Sequence, residues 1–209
     1  EDEFICQVTV DSVKATLSGS MAAMVQSIVD SAATSAIGTT IDNPVATVVV
    51  DGISGKAVNL QDGSYFTVDE FGVGSDSFTF TSWLNIHSYA GNPGLFATKN
   101  WESGKNPGWI IALKAVTGGV SLQFNVNVDP DTTTRFDPAH NLALSRGAKL
   151  YDNWMHFAIV VDRAAQTIDM YINGRHVLND EFSDKGYAPT DSFDGGVFMI
   201  GDDHALYNA

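Results

Sequence analysis

The clearest hydrophobic pattern in the chain lies between Trp154 and Val177. Trp154 to Val161 is an almost unbroken aromatic, β-branched and apolar run, which predicts a strand covered on both faces and set deep in a sheet. Asp162 to Gln166 interrupts it. Ile168, Met170 and Ile172 then alternate with Thr167, Asp169 and Tyr171 at the period of two that puts one set of side chains on each face of a strand. Asn173-Gly174 supplies two residues able to take positive φ, as a tight type I′ turn requires, and Arg175 to Leu178 returns. The stretch predicts a β-meander.

Shorter strands recur along the rest of the chain. The pattern predicts them at Phe4 to Val10, Val13 to Leu17, Ala46 to Val50, Lys56 to Leu60, Ser64 to Val68, Ser77 to Ile86, Trp109 to Lys114, Gly119 to Val128 and Val197 to Gly201. In the Gly119 to Val128 strand, Leu122, Phe124, Val126 and Val128 alternate with Ser121, Gln123, Asn125 and Asn127, so one face should be apolar and the other an amide-rich outer surface. Met21, Val25, Ile28, Val29, Ala32 and Ala36 fall on one helical face and predict a short amphipathic helix, with an irregular small-residue loop as the alternative. Many short strands, 19 glycines and almost no helix predict an all-β fold. Long, unequal loops favour two packed antiparallel sheets over a closed barrel.

Composition narrows the partners. The formal charge of −14 over 209 residues arises from 20 Asp and 5 Glu against 11 Lys plus Arg, and Asp without Glu marks loops and turns. Nucleic acid and anionic membranes are disfavoured, because both need a basic face. Loop carboxylates in this number suit Ca²⁺ and a saline exterior. Cys6 is the single cysteine, so an intrachain disulfide is excluded, and it reads as a small buried apolar residue. No apolar run is long enough to span a bilayer, and Glu1 to Ile5 lacks the basic start of a signal peptide, so either a signal has been removed or, as the favoured reading, the chain is an internal piece of a longer protein.

Four segments carry a resemblance to a known family: DGISGKAVNLQDGSYFTV (Asp51 to Val68), SFTFTSWLNI (Ser77 to Ile86), KNWESGKNPGWIIAL (Lys99 to Leu113) and WMHFAIVVDRAAQTIDMYINGRHV (Trp154 to Val177). In order and spacing they resemble a bacterial laminin-G-like domain of the concanavalin A-like lectin/glucanase superfamily, with Trp83, Trp109, Trp154, His156, Asp162, Tyr171 and Gly174 at the pattern positions. The resemblance implies a jelly-roll β-sandwich over residues 30–209, preceded by an N-terminal strand and small-residue segment at 1–29 that serves as an extension or edge filler. It also implies that Phe198 to Asp203 is the penultimate strand and loop, so the sandwich lacks its final strand. An edge left open in this way would be covered by the N-terminal strand, by a segment outside this sequence, or by a strand from a neighbouring subunit.

The chemistry points to binding. Glucanases of the superfamily place two Glu on one strand, and here Glu1, Glu3, Glu70, Glu102 and Glu181 are scattered. The five His show no zinc-ligand spacing, and no Gly-x-Ser-x-Gly elbow places a nucleophile. Sugar sites pair an aromatic face with groups that grip hydroxyls, and Lys99, Asn100, Trp101, Glu102, Lys105 and Asn106 offer such a rim together with Arg135 on another loop. Asp62, Asp129, Asp131, Asp202 and Asp203, together with Asp137, are the candidate calcium ligands, although any one Asp is more often a turn former than a ligand. The expectation is a non-catalytic, extracellular glycan-binding or adhesive module of a larger bacterial protein. The alternatives are a filament or surface-layer subunit assembled by strand exchange and an accessory domain of a secreted hydrolase.

Overall fold

The structure, a computed structural model, describes residues 3–9, 41–42, 48–53, 56–61, 65–68, 71–101, 106–129 and 135–203. The predicted strand at Val13 to Leu17 and the helix or loop that follows it lie outside these residues, as does the boundary between residues 29 and 30. The described strands are β1 (Glu3–Thr9), β2 (Ile41–Asp42), β3 (Val48–Asp51), β4 (Lys56–Gln61), β5 (Tyr65–Val68), β6 (Phe78–Ser88), β7 (Gly94–Ala97), β8 (Gly108–Val116), β9 (Gly119–Asn127), β10 (Ala139–Asn141), β11 (Met155–Asp162), β12 (Thr167–Ile172), β13 (Arg175–Glu181) and β14 (Phe198–Ile200). They form two seven-stranded antiparallel sheets, ordered β13-β12-β11-β6-β1-β4-β3 and β10-β9-β8-β7-β14-β5-β2. The result is the antiparallel β-sandwich that the pattern predicts.

The meander is present as β11, β12 and β13, with Phe157 opposite Ile172 and Val161 opposite Ile168. Asn173 and Gly174 turn the chain with φ of 51° and 75°. One expectation is corrected. β11 is interior to its sheet, but only alternate residues are buried; His156, Ala158, Val160 and Asp162 are half-buried on the outward face. Small apolar side chains there extended the hydrophobic run without joining the core.

β1 pairs on one side with β6, Cys6 opposite Leu84, and on the other with β4, Cys6 opposite Val58. It is an interior strand, because β6 and β4 do not pair with each other and β1 alone joins them. β14, the strand read as penultimate, is likewise interior, between β7 and β5. Three short elements escape the sequence pattern. β7 follows Asn92-Pro93, which reads as a turn, β10 has three residues, and helix α1 (Leu142–Arg146) is capped by the Asn141 side chain accepting from Ala143 N–H at 2.9 Å.

The two sheets meet through aromatic rings. Trp109 on β8 is fully buried, with Phe71, Phe78, Phe80, Phe124 and Phe198 all between 5.6 and 6.2 Å of its ring. A second group, Phe136, Phe182, Tyr187 and Phe193, surrounds Arg163, whose guanidinium carbon lies 3.9 Å from the Phe193 ring centroid and whose Nη2 donates to the carbonyls of Ala188 and Asp191. Cation–π contact and two carbonyl acceptors compensate a cation held almost out of water.

Phe157 is fully buried with Phe80 and Phe96 each 6.2 Å away, so Phe157→Ala should destabilise the fold by about 3–5 kcal/mol in denaturant unfolding. Deleting residues 1–9 should cost more than trimming an edge strand, since it unpairs β6 and β4 at once. A melting temperature unchanged by that deletion would show that the first sheet closes without β1.

Candidate functional site

On β9 the core-facing positions are Val120, Leu122, Phe124 and Val126, so Ser121, Gln123, Asn125 and Asn127 point out of the sandwich. The predicted alternation is therefore correct, but the predicted solvent-facing surface is not. Gln123 and Asn125 are only 2% and 1% exposed. Alternation reports which side of a sheet a residue occupies and says nothing of what passes over that side. These amides form the floor of a covered site.

Cross-strand register builds the rest of the floor. Thr67, Met199, Ala97, Ile110 and Asn125 are successive partners across β5, β14, β7, β8 and β9, and all are buried. Ala97, Ile110 and Ala112 make a small apolar patch separate from the main core, and Trp101 packs on it. The Trp101 N–H donates to Asp203 Oδ2 at 3.0 Å, tying the loop after β7 to the segment after β14. One residue before Lys99, Thr98 is locked to Trp109 by three bonds: its N–H donates to the Trp109 carbonyl at 2.8 Å, its Oγ1 donates to the same carbonyl at 3.2 Å, and its Oγ1 accepts from the Trp109 N–H at 2.9 Å.

Lys99 is the unusual member of the site. It is 1% exposed and its Nζ has no hydrogen-bond partner. Burial, reinforced by the facing Arg135 guanidinium and only partly offset by Asp137, pushes its ammonium down to about 8. Asp137 is engaged on both oxygens, Oδ2 receiving Arg135 Nε at 2.6 Å and Oδ1 receiving Asn125 Nδ2. Phe136 pins this strip to β9 through paired backbone bonds with Val126. Asn125 Oδ1 and Gln123 Oε1 are buried without donors, and the Lys99 ammonium is buried without an acceptor. Buried polar atoms in this state are costly, and a ligand offering hydroxyls and an acceptor would satisfy them. Arg135, Phe136 and Asp137 also line an adjoining cleft of about 390 Å³, together with Asp180, Glu181, Ser183, Asp184 and Lys185.

Of the residues predicted for a rim, Lys99 and Arg135 converge, and Trp101 lies over the floor. Asn100 and Asn106 flank it, half-buried. Glu102 and Lys105 lie outside the described residues. Gln123 and Asn125 were visible as outward amides but lacked any sign of burial, and Asp137 was read only as a calcium candidate. Among the calcium candidates, Asp62 and Asp131 lie outside the described residues. The Asp203 carboxylate is engaged by Trp101, and Asp202 Oδ1 accepts from the Asp203 N–H at 2.7 Å. Among the described residues, no three His, Cys, Asp or Glu side chains are grouped to hold a metal ion. No described helix is long and apolar enough to cross a membrane.

A family profile, Laminin_G_3, described as concanavalin A-like lectin/glucanases superfamily, matches residues 60–208. The chain belongs to this family. The laminin-G-like match begins at the last residues of β4, so β1 precedes it in sequence yet lies inside its sheet. Solved structures share the fold. A structure titled HCR/D-Sa-GBL1/C aligns at a TM-score of 0.56 and 15% identity over 78% of this chain and 38% of that one. The binding domain of botulinum neurotoxin DC in complex with SialylT aligns at 0.54 and 15%, over 78% and 37%. The carbohydrate-binding module CBM66 from Bacillus subtilis aligns at 0.41 and 13%, over 80% and 93%. This laminin-G-like chain thus spans little more than a third of the first two of these chains. No curated protein matches it in sequence.

The site hangs on a close approach behind Thr98. A Cβ on Gly195 would collide with the carbonyl oxygen of Thr98 and come within 2.6 Å of the Pro107 carbonyl oxygen. Gly195→Ala should therefore push the Lys99 loop off β8 and lower the melting temperature, whereas Gly174→Ala, with open space around it but positive φ, should cost only about 1 kcal/mol. Thermal melts of the two variants side by side check this ordering.

Proposed function

We propose that this chain is a non-catalytic glycan-binding module of a larger extracellular protein, and that it binds sugar over the outer face of the second sheet, between Trp101 and Arg135. The observation that carries the reading is the set of unpartnered buried atoms, Lys99 Nζ, Asn125 Oδ1 and Gln123 Oε1, beside an indole and an open cleft. A sugar meets these needs together: its hydroxyls donate to amide oxygens, its ring oxygens and hydroxyls accept from cations, and its apolar face lies on an aromatic ring. The fold likeness to a toxin binding domain solved with a sialylated ligand supports the same class. So does the family description, which places lectins and glucanases on one fold.

The non-catalytic half of the proposal rests on the floor chemistry. Glycoside hydrolysis uses two carboxyls flanking the bond, one of them kept protonated near neutrality. At the described positions of the floor β9 carries amides, and both oxygens of the nearby Asp137 are engaged, by Arg135 and by Asn125.

Titration of the protein with a panel of neutral and acidic oligosaccharides should give saturable binding that Asn125→Ala and Trp101→Ala each weaken by tenfold or more, without product formation. Binding untouched by both substitutions would place the sugar elsewhere. Release of reducing ends that a single Asp→Asn change abolishes would overturn the non-catalytic reading. The same titration in EDTA and in millimolar Ca²⁺ tests the aspartate loops, since a bound ion should raise the melting temperature and a silent one should leave it unchanged.

A further inference from the structure

We infer that the sugar taken by this site carries a carboxylate, seated against Lys99 and Arg135, with neighbouring hydroxyls directed at Asn125 and Gln123. The inference rests on the glycan-binding reading and narrows it to one chemical class, the acidic sugars. Two cations face one another here, and the described charge set against Lys99 is Arg135 and Asp137 alone. Asp137 is the described anion beside Lys99, and its oxygens accept from Arg135 and Asn125 while Lys99 Nζ makes no hydrogen bond. The Lys99 ammonium is thus left without a hydrogen-bond acceptor while almost wholly buried. Lys99 and Arg135 against Asp137 leave one positive charge in excess at this point, in a chain of net charge −14.

The amides decide what kind of anion. Asn125 Oδ1 and Gln123 Oε1 accept and cannot donate, so a bare anion such as phosphate or sulfate would meet them with like polarity. A ligand must bring an acceptor for Lys99 and donors for the amide oxygens at one place. A carboxylate on a polyhydroxylated ring does so, whether in a uronic acid or a sialic acid. Arg135 and Asp137, with side chains 37% and 29% exposed, connect the pocket to the cleft from which such a ring would enter.

The test is calorimetric titration of the whole chain with trigalacturonic acid, sialyllactose, lactose and cellotriose between pH 6 and 9.5. At pH 6.5 one of the two acidic sugars should bind at least tenfold more tightly than either neutral one, and which of them does so identifies the source of the carboxylate. Lys99 is charged below its pKa of about 8, so acidic-sugar affinity should hold at low pH and fall up to tenfold per pH unit above 8. Lys99→Gln and Lys99→Met should remove both the acidic preference and the pH step, while melting temperatures stay level or rise because an unpaired buried charge is gone. Lys99→Arg should retain the preference and abolish the step, which guards against a trivial loss of folding in the neutral variants. Equal affinity for neutral and acidic sugars, with sensitivity to Asn125→Ala intact, would overturn this inference and leave the glycan-binding reading standing. A pH step that survives in Lys99→Gln would also overturn it. Absence of binding by all four sugars would count against both.

Discussion

The packing of five phenylalanines around Trp109 is the constraint on which the rest of the molecule depends. It fastens the two sheets together, since Phe78 and Phe80 come from one and Phe124 and Phe198 from the other. It also fixes the binding face, because the backbone of Trp109 holds Thr98 and thereby aims the loop that begins at Lys99. Core and site share a strand, with the indole on one side and Ile110 on the other. A disturbance of the ring cluster would reach the floor of the pocket through the β8 backbone, without passing through any loop.

Much of this was legible in the pattern of the chain. The meander, the Asn173-Gly174 turn and the alternation of β9 follow from local rules, and each is where the periodicity puts it. What the chain did not display is coverage. Outward Ala158 and Val160 lengthened an apolar run that is half-buried, and outward Gln123 and Asn125 looked solvated although they are enclosed. Both errors have one cause: a strand's period resolves two faces, while the neighbours of each face come from distant segments. The position of β1 was hidden for the same reason, as nothing in Glu3–Thr9 names β4 and β6 as its partners.

The site itself was legible by residue type and not by assembly. A loop rich in Lys, Asn and Trp, and an arginine on another loop, are ordinary signs of a polar rim. Their convergence depends on Phe136 pairing with Val126, which draws Arg135 and Asp137 alongside β9. That pairing bonds Asp137 to Arg135 and leaves Lys99 Nζ without a hydrogen bond. Charge balance in the pocket is thus a product of strand addition, and no count of acidic and basic residues could have indicated it.

The interior position of β1 has a consequence for synthesis. During translation this strand emerges before its partners around residues 58 and 84, which follow only after many more residues have left the ribosome. At roughly 5–20 residues per second, the interval lasts several seconds, far longer than local structure needs to form. For that time β1 presents two unpaired edges to whatever lies near, a nascent neighbour on the same polysome included. Long-range pairing of this kind slows folding as well, since the loop must close before any bond rewards it. A cell making this protein would have reason to hold the early chain extended, by secretion unfolded or by a holding chaperone, until β4 and β6 arrive to flank it.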